Sequence, residues 1–154
     1  MGYVLGLRKH IGTKPLIVPG SSVLCFNNKG ELLFMKRSDN HQWGLPGGSL
    51  ELGEKLEETA VRELFEETGL QAQNLTFQQI YSGKELHYIY PNGDEVYNVI
   101  AAYTCEYDGS GWNSDSEETL AIQFWPLENL PAQMCSPDRF VVEKVKEGEE
   151  EIRR

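Results

Sequence analysis

Cysteine, long apolar segments and positive charge are all scarce in this chain of 154 residues. Its three cysteines, Cys25, Cys105 and Cys135, lie far apart and form no CxxC pair, which argues against a disulfide framework or a zinc site. No run of about 18 apolar residues could cross a membrane, and the first residues lack the order of a signal peptide. We therefore expect a cytoplasmic protein with reduced, buried thiols and no membrane partner.

The charge balance restricts the partners of the chain. It has 14 basic and 24 acidic residues and a net charge of −10. Such a surface repels a phosphate backbone, so we expect no nucleic-acid partner. A phosphorylated small molecule would be repelled as well, unless a cation lay between it and the carboxylates. If the substrate is a phosphate compound, the charge therefore favours a divalent metal ion.

The length and the absence of repeats or linkers predict one domain over residues 1–154, with an N-terminal extension (about 1–13) and a charged, frayed tail (about 148–154). β-rich segments 14–26 and 31–37 flank the turn signal Asn27–Gly30 and predict a hairpin. A glycine-rich loop over 38–53 precedes a helix over 55–68, which Gly69 is placed to end.

The second half of the chain continues with strands. Segments 76–90 and 95–107 flank Pro91-Asn92-Gly93-Asp94, where Asn-Gly suits a type I′ hairpin turn. After a loop over 108–117, a strand is expected at 118–127. Ser136 and Pro137 suit the N-cap and first position of a last helix that ends at about Glu147. This order of elements predicts a mixed sheet covered by helices.

Three glutamates on the predicted helix need an explanation. Glu63, Glu66 and Glu67 stand at positions i, i+3 and i+4, so their side chains share one face. Their mutual repulsion costs roughly a few tenths of a kcal/mol per pair, and the helix dipole disfavours negative charge near the C-terminal end. Taken alone, the face could be a solvated acidic surface. A Mg²⁺ site, which requires oxygen ligands, also explains why the charges are clustered.

The residues around this helix resemble a known sequence signature. Gly48, Glu54, Arg62-Glu63-Leu64, Glu66-Glu67 and Gly69-Leu70 match every specified position of the Nudix hydrolase box. Segment 43–48 is similar to the usual entry to that box, and segment 124–131 to the aromatic-proline segment that closes the last strand of the family. The resemblance covers about residues 20–131. It implies an α/β (α+β) fold of the Nudix type, an α/β/α sandwich around a central mixed β-sheet.

The resemblance also implies roles for individual residues. Glu63, Glu66 and Glu67 are similar to the metal-binding carboxylates, and the Gly47 carbonyl to an additional ligand. The metal ion is expected to be Mg²⁺, with Mn²⁺ as a substitute. Arg62 is expected to orient the carboxylates of the box, and Glu54 to orient the loop or a water molecule.

The reaction that the resemblance implies is hydrolysis of the diphosphate linkage in a nucleoside diphosphate joined to another group. Water activated by the metal attacks phosphorus and a carboxylate takes its proton. Glu66 and Glu118 are both candidates for this general base, and Glu117 is the next one; an exposed acidic loop would explain the last two equally well. The alternative function is a nucleotide-sensing module of the same fold without turnover.

The substrate is less clear from the sequence. Arg37 is a candidate phosphate contact, as is Lys36, and His41 in the glycine-rich loop is the histidine expected to lie near the substrate. Tyr88 could stack on a base, but alternating tyrosines in a β-strand usually serve packing. A nucleotide-type small molecule is the expected substrate, either a nucleoside triphosphate, a modified one, a dinucleoside polyphosphate or a nucleotide sugar. A homodimer is common among proteins that resemble this chain.

Overall fold

A computed structural model describes residues 2–112 and 116–153. Within these ranges the chain forms three α-helices, one 3-10 helix (Lys84–Leu86) and eight strands. The helices are α1 (Tyr3–Ile11), α2 (Leu56–Thr68) and α3 (Ser136–Arg153). The strands are β1 (Leu16–Phe26), β2 (Leu32–Arg37), β3 (Trp43–Gly44), β4 (Gly47–Ser49), β5 (Gln73–Tyr81), β6 (His87–Ile89), β7 (Glu95–Glu106) and β8 (Thr119–Trp125). No helix in the described part of the chain is long and apolar enough to cross a membrane.

The strands form one mixed sheet. Its main path runs β3-β2-β1-β7-β5, while β4 pairs with β1, β6 with β7 and β8 with β2. β1 and β7 are parallel over their whole length, from Leu16 opposite Val96 to Phe26 opposite Glu106. The other pairs are antiparallel. Because the parallel pair lies at the centre, β1 is buried on both faces, and residues 20–25 are all buried.

Helices cover both faces of the sheet, so the predicted sandwich is confirmed. Successive side chains of a strand point to opposite faces, and β1 and β2 contribute to two cores. One core lies under α2 and contains Val23, Cys25, Leu33, Ala60 and Leu64. The other lies under α3 and contains Leu24, Leu32, Phe34, Val141, Val142 and Val145. The three cysteines are buried free thiols, as the sequence predicts.

α2 forms within one residue of its predicted bounds, because both ends carry local signals. At its start, the Lys55 N–H donates to Glu58 Oε1 over 3.1 Å. At its end, Gly69 has a left-handed backbone with φ of 76°, and its N–H donates to the Phe65 carbonyl over 2.8 Å. Glycine adopts this conformation without steric cost.

Several boundaries in the first half differ from the prediction. β1 runs without interruption through Pro19 and Gly20, and the predicted hairpin keeps only the pair Phe26–Leu32, since most of β2 pairs with β8. The glycine-rich segment is not wholly loop, because it contains β3 and β4. β4 lies so close to β1 that a Cβ on Gly47 would be 2.3 Å from the Ser21 carbonyl oxygen. This contact requires glycine.

The second half also differs in detail. The predicted strand 76–90 is divided into β5, the 3-10 helix and β6. The turn before β7 is not of type I′, because Gly93 has positive φ while Asn92 does not; the Tyr90 N–H closes it on the Asp94 carbonyl over 2.9 Å. Residues predicted as a frayed tail continue α3 to Arg153, and most of the predicted N-terminal extension is α1.

A pair of glycine substitutions tests the left-handed backbone at the end of α2. We expect Gly69→Ala to lower the free energy of unfolding by about 1–2 kcal/mol, because alanine is strained at positive φ. Gly6→Ala is the matched control: Gly6 lies inside α1, and a Cβ there would meet nothing within 4 Å. It should raise stability by roughly 0.5–1 kcal/mol through helix propensity. Urea unfolding measures both; equal effects of the two substitutions would contradict the assigned conformation of Gly69.

Candidate active site

The three box glutamates of α2 differ in burial. Glu67 is only 5% exposed, and its Oε1 accepts a hydrogen bond from the Gly47 N–H over 2.9 Å. The Glu63 side chain is largely buried, whereas that of Glu66 is 55% exposed. The acidic face therefore runs from solvent at Glu66 into the protein at Glu67, where it meets the glycine-rich loop.

Arg62 organises the carboxylates around it. Its Nε and Nη2 donate to the two oxygens of Glu54 over 2.7 and 3.0 Å. Its Nη1 donates to Glu63 Oε1 over 2.8 Å and lies 3.4 Å from Glu66 Oε2. Its Nη2 also donates to the Ser49 carbonyl over 3.2 Å. One guanidinium thus contacts the loop and three acids of the box; its role in orienting these acids for catalysis stays a prediction.

The pKa values of the acids in this site are shifted in opposite directions. The Arg62 guanidinium, aided by the Thr59 hydroxyl, lowers the pKa of Glu54 to about 2. Burial raises the pKa of Glu63 above its usual value, although Arg62 opposes the shift. Burial and the neighbouring charge of Glu63 raise the pKa of Glu67 well above its usual value. Glu54 is therefore stabilised as an anion, whereas burial disfavours the charged forms of Glu63 and Glu67.

The residues of this face fit a divalent cation in part. Two adjacent buried carboxylates with raised pKa values are stabilised by a hard cation that accepts oxygen ligands. Within residues 2–112 and 116–153, however, no three His, Cys, Asp or Glu side chains converge into a ready-made metal cluster. Glu63 is turned toward Arg62 and Glu66 toward solvent. Gly47 contacts Glu67 through its N–H; its carbonyl as a ligand stays a prediction.

Gly48 allows the loop to pass close to the acids. A Cβ on this residue would lie 2.4 Å from Glu63 Oε1. That oxygen lies between the loop and Arg62, which donates a hydrogen bond to it. The first glycine of the box is therefore required by the close approach of the loop to a carboxylate. Any larger residue would displace Glu63.

The late acids lie beside this face. Glu118 is exposed at the start of β8, and its charge contributes to the raised pKa of Glu67. Its backbone is fixed, because the Ser38 N–H donates to the Glu118 carbonyl over 2.9 Å. Glu117 is also exposed, but its charge is not among the main influences on the pKa of Glu67. The loop therefore brings Glu118 to the site. Residues 113–115 of the predicted 108–117 loop lie outside the described residues.

An open cleft with a cavity volume of about 100 Å³ lies next to the carboxylates. The box loop forms one wall through Gly47, Gly48 and Ser49, so that the cleft reaches the residue that donates to Glu67. The opposite side carries the polar and aromatic groups Arg37, Tyr88, Tyr90, Asn98, Cys135 and Asp138. An aromatic and polar recess beside acidic residues can bind a nucleoside and present its phosphates to a metal ion.

Two of the three predicted substrate contacts line this cleft. Arg37 forms a two-pronged ion pair with Asp39 at 2.9 and 2.8 Å, and its guanidinium lies 5.8 Å from the centre of the Tyr90 ring. The Tyr88 hydroxyl accepts a hydrogen bond from Asn40 Nδ2 over 2.6 Å, and its ring meets Tyr90 edge to face at 5.0 Å. Tyr88 therefore packs in the protein and also faces the cleft.

His41 is not among the residues that line the cleft. It is exposed in the turn between β2 and β3 and has a left-handed backbone with φ of 56°. Its role in substrate binding stays a prediction. Of the two cations at the end of β2, Arg37 lines the cleft and Lys36 does not.

The sequence did not reveal Tyr90, Cys135 or Asp138. Asp138 Oδ2 accepts a hydrogen bond from the Leu45 N–H over 3.2 Å, and burial raises the pKa of this carboxyl to about 6. Ser136 and Pro137 predict only a helix start, and no sequence pattern assigns a site role to Asp138, the acid that follows them. For Tyr90, the alternating tyrosines were a signal, but a strand pattern does not show which side faces a cleft.

A stability measurement tests whether the acid site carries uncompensated charge. In metal-free protein, we expect Glu67→Gln to raise the midpoint of thermal unfolding at neutral pH. The folded pKa of Glu67 lies above its unfolded value, so the folded state binds more protons and loses stability as pH rises above about 4.5. Glutamine cannot ionise, yet it still accepts the Gly47 N–H, so this pH dependence should become weaker.

The control is Glu66→Gln, because Glu66 is exposed and its charge is already solvated. Thermal unfolding in EDTA between about pH 5 and pH 8 compares the variants. A Glu67→Gln protein less stable than the wild type across this range would contradict the raised pKa.

Comparisons with known proteins identify the family of the chain. A family model described as NUDIX domain matches residues 17–145. A putative 8-oxo-dGTP diphosphatase of Bacillus subtilis (strain 168) is 29% identical over 133 residues, which cover 86% of this chain and 83% of that protein.

Solved structures give the same result for the fold. The MutT protein from Methanosarcina mazei Go1 has a TM-score of 0.71 at 22% identity, covering 88% of this chain and 97% of that one. The NUDIX domain of Shewanella oneidensis NrtR, complexed with ADP ribose, has a TM-score of 0.69 at 19% identity, covering 96% of this chain and 98% of that one. At these identities the two structures establish the shared fold alone. The family match over residues 17–145 shows that the chain belongs to the Nudix hydrolase family, as a Nudix pyrophosphohydrolase.

Proposed function

We propose that this protein is a Mg²⁺-dependent hydrolase that cleaves the diphosphate linkage of a nucleoside diphosphate joined to another group, with Mn²⁺ as a substitute metal. The observation that carries the proposal is the pairing of Glu63 and Glu67. Glu67 is buried and Glu63 is largely buried, both have raised pKa values, and the loop beside them lines the cleft. A divalent cation compensates such charge and also attracts phosphate oxygens.

Each acid of the face has a part in this proposal. Glu63 and Glu67 would hold the metal from inside the protein, and Glu66 from the solvent side. The metal supplies charge for the phosphate oxygens and lowers the pKa of the attacking water. Arg62 keeps Glu63 oriented through its short hydrogen bond, and Glu54 keeps Arg62 in place through two hydrogen bonds.

Glu118 is our candidate for the group that takes the proton from the attacking water. It is exposed to solvent, and its charge acts on Glu67 across the site. Glu66 is the competing candidate, but Arg62 lies 3.4 Å from one of its oxygens and draws that oxygen toward the guanidinium. A carboxylate free of such a partner is the better proton acceptor.

The cleft walls support a nucleotide as substrate. Tyr88 and Tyr90 offer aromatic surface for a base, and Arg37 lies close enough to the box to meet a phosphate, since its charge also acts on Glu67. Nucleotides also occur in both comparisons: the Bacillus relative is named for 8-oxo-dGTP, and the Shewanella structure is a complex with ADP ribose. The three buried free thiols fit a reducing compartment, so we place the protein in the cytoplasm.

A substrate panel tests the proposal. Nucleoside triphosphates, oxidised nucleotides, dinucleoside polyphosphates and nucleotide sugars are incubated with Mg²⁺ or Mn²⁺, and the products are identified. We expect metal-dependent cleavage of at least one class, and Glu67→Gln should lower its rate by about two orders of magnitude through loss of charge at the metal. A ligand that binds tightly and is recovered intact would favour the alternative, a nucleotide-sensing module without turnover.

Substitution of the late acids tests the assignment of the base. We expect Glu118→Gln to lower kcat by about 100-fold or more, within the range for general-base catalysis, and to leave the activating metal concentration almost unchanged. Glu117→Gln is the matched control and should retain wild-type kcat. The acidic limb of the pH–rate profile should disappear with the base. A larger loss of kcat in Glu66→Gln than in Glu118→Gln would assign the proton to Glu66 instead.

A further inference from the structure

α1 is held against the body of the protein at its two ends. At its C-terminal end, buried Arg8 donates to the Gly12 carbonyl over 3.0 Å and to the Glu95 carbonyl over 2.7 Å. At its N-terminal end, the Tyr3 N–H donates to Glu51 Oε2 over 2.9 Å. A cavity of about 440 Å³ lies between α1, β1 and the loop over 50–54, so the middle of the helix is not closely packed there.

The N-terminal contact is closely fitted. The Glu51 carboxylate lies over the start of α1, where the free N–H groups and the helix dipole favour a negative charge. A Cβ on Gly2 would lie 2.7 Å from Glu51 Oε1, so the absence of a side chain at Gly2 permits the approach. The carboxylate is half-buried in the described structure. The start of α1 therefore fixes the position of Glu51.

Glu51 in turn belongs to the turn that carries Glu54. The Glu54 N–H donates to the Glu51 carbonyl over 3.0 Å, and the Glu51 N–H donates to Glu54 Oε1 over 3.2 Å. The same Glu54 oxygen accepts from Arg62 and from the Thr59 hydroxyl. A continuous set of hydrogen bonds thus leads from α1 to Glu54 and Arg62, and from there to Glu63.

We propose that Glu51 is a positioning residue for the active site, which uses the docked start of α1 to fix Glu54 and, through Arg62, the orientation of the metal-binding acids. Glu51 does not line the cleft. The segment before β1, which the sequence offers only as an extension, becomes part of the support of the site. This inference rests on the proposed function for its kinetic consequence, but its structural part stands independently.

The test compares Glu51→Ala, Glu51→Gln and a charge control, Glu143→Ala, an exposed acid on α3. We expect Glu51→Ala to lower kcat by roughly threefold to tenfold, less than the loss typical of residues that contact metal ligands directly. The concentration of Mn²⁺ for half-maximal activity should rise by a similar factor, and KM for the nucleotide should stay unchanged because no cleft wall is altered. Glu51→Gln should recover most of kcat, because its amide oxygen still accepts the Tyr3 N–H. Glu143→Ala should match the wild type.

A double-mutant cycle tests the route. If Glu51 acts through Glu54, adding Glu51→Ala to Glu54→Gln should lower kcat by less than about twofold further, because coupled residues are not additive. Fully additive losses would overturn the proposal, as would a Glu51→Ala protein with wild-type kcat and reduced thermal stability. Gly2→Ala is a second variant that only displaces the carboxylate; it should reduce kcat in the same direction but less.

Hydrogen exchange separates this inference from the proposed function. Amides of residues 51–62 should exchange faster in Glu51→Ala than in the wild type or in Glu143→Ala, whether or not any substrate is cleaved. A wild type without turnover would therefore reject the proposed function and leave the coupling measurable. Unchanged exchange over 51–62 in Glu51→Ala would reject the coupling itself.

Discussion

The arrangement of the site depends on one guanidinium. Arg62 contacts three carboxylates and the Ser49 carbonyl, which makes it the common partner of loop and helix. Without it, acids of α2 would repel one another beside the equally acidic loop. With it, Glu54 is a fixed anion and Glu63 is held in one orientation. The partly buried geometry gives these bonds more weight than exposed ion pairs have.

Arg62 does not neutralise the whole site. It makes no contact that compensates buried Glu67, which accepts a hydrogen bond from the Gly47 N–H, and the charge of Glu118 adds to the cost of ionising Glu67. A structure selected for stability alone would place an apolar residue there. Retaining ionisable groups at such a position is typical of functional sites, where the cost of burial is offset when a cation or substrate binds.

The central strands of the sheet bring the box loop, Arg37 and Glu118 close together. β1 passes between β4 and β7, so the box loop, the cleft floor and the α2 core all rest on one buried strand. β2 ends in Arg37 and pairs with β8, which begins beside Glu118. The cleft is thus formed where several strand ends meet a glycine-rich loop. α1 links the loop to the sheet, because its first residue donates a hydrogen bond to Glu51 and its Arg8 donates one to the Glu95 carbonyl of β7.

The sequence by itself determined the local features. The spacing of Glu63, Glu66 and Glu67 placed them on one helix face, and Gly69 fixed the end of α2, because both effects act within a few residues. The tertiary structure alone decided that Glu67 is buried while Glu66 is exposed, that Tyr90 and Asp138 join the cleft, and that α1 docks on Glu51. These outcomes depend on strand register and on contacts between residues far apart in the chain. No local pattern encodes which of two neighbouring acids faces water and which faces the core.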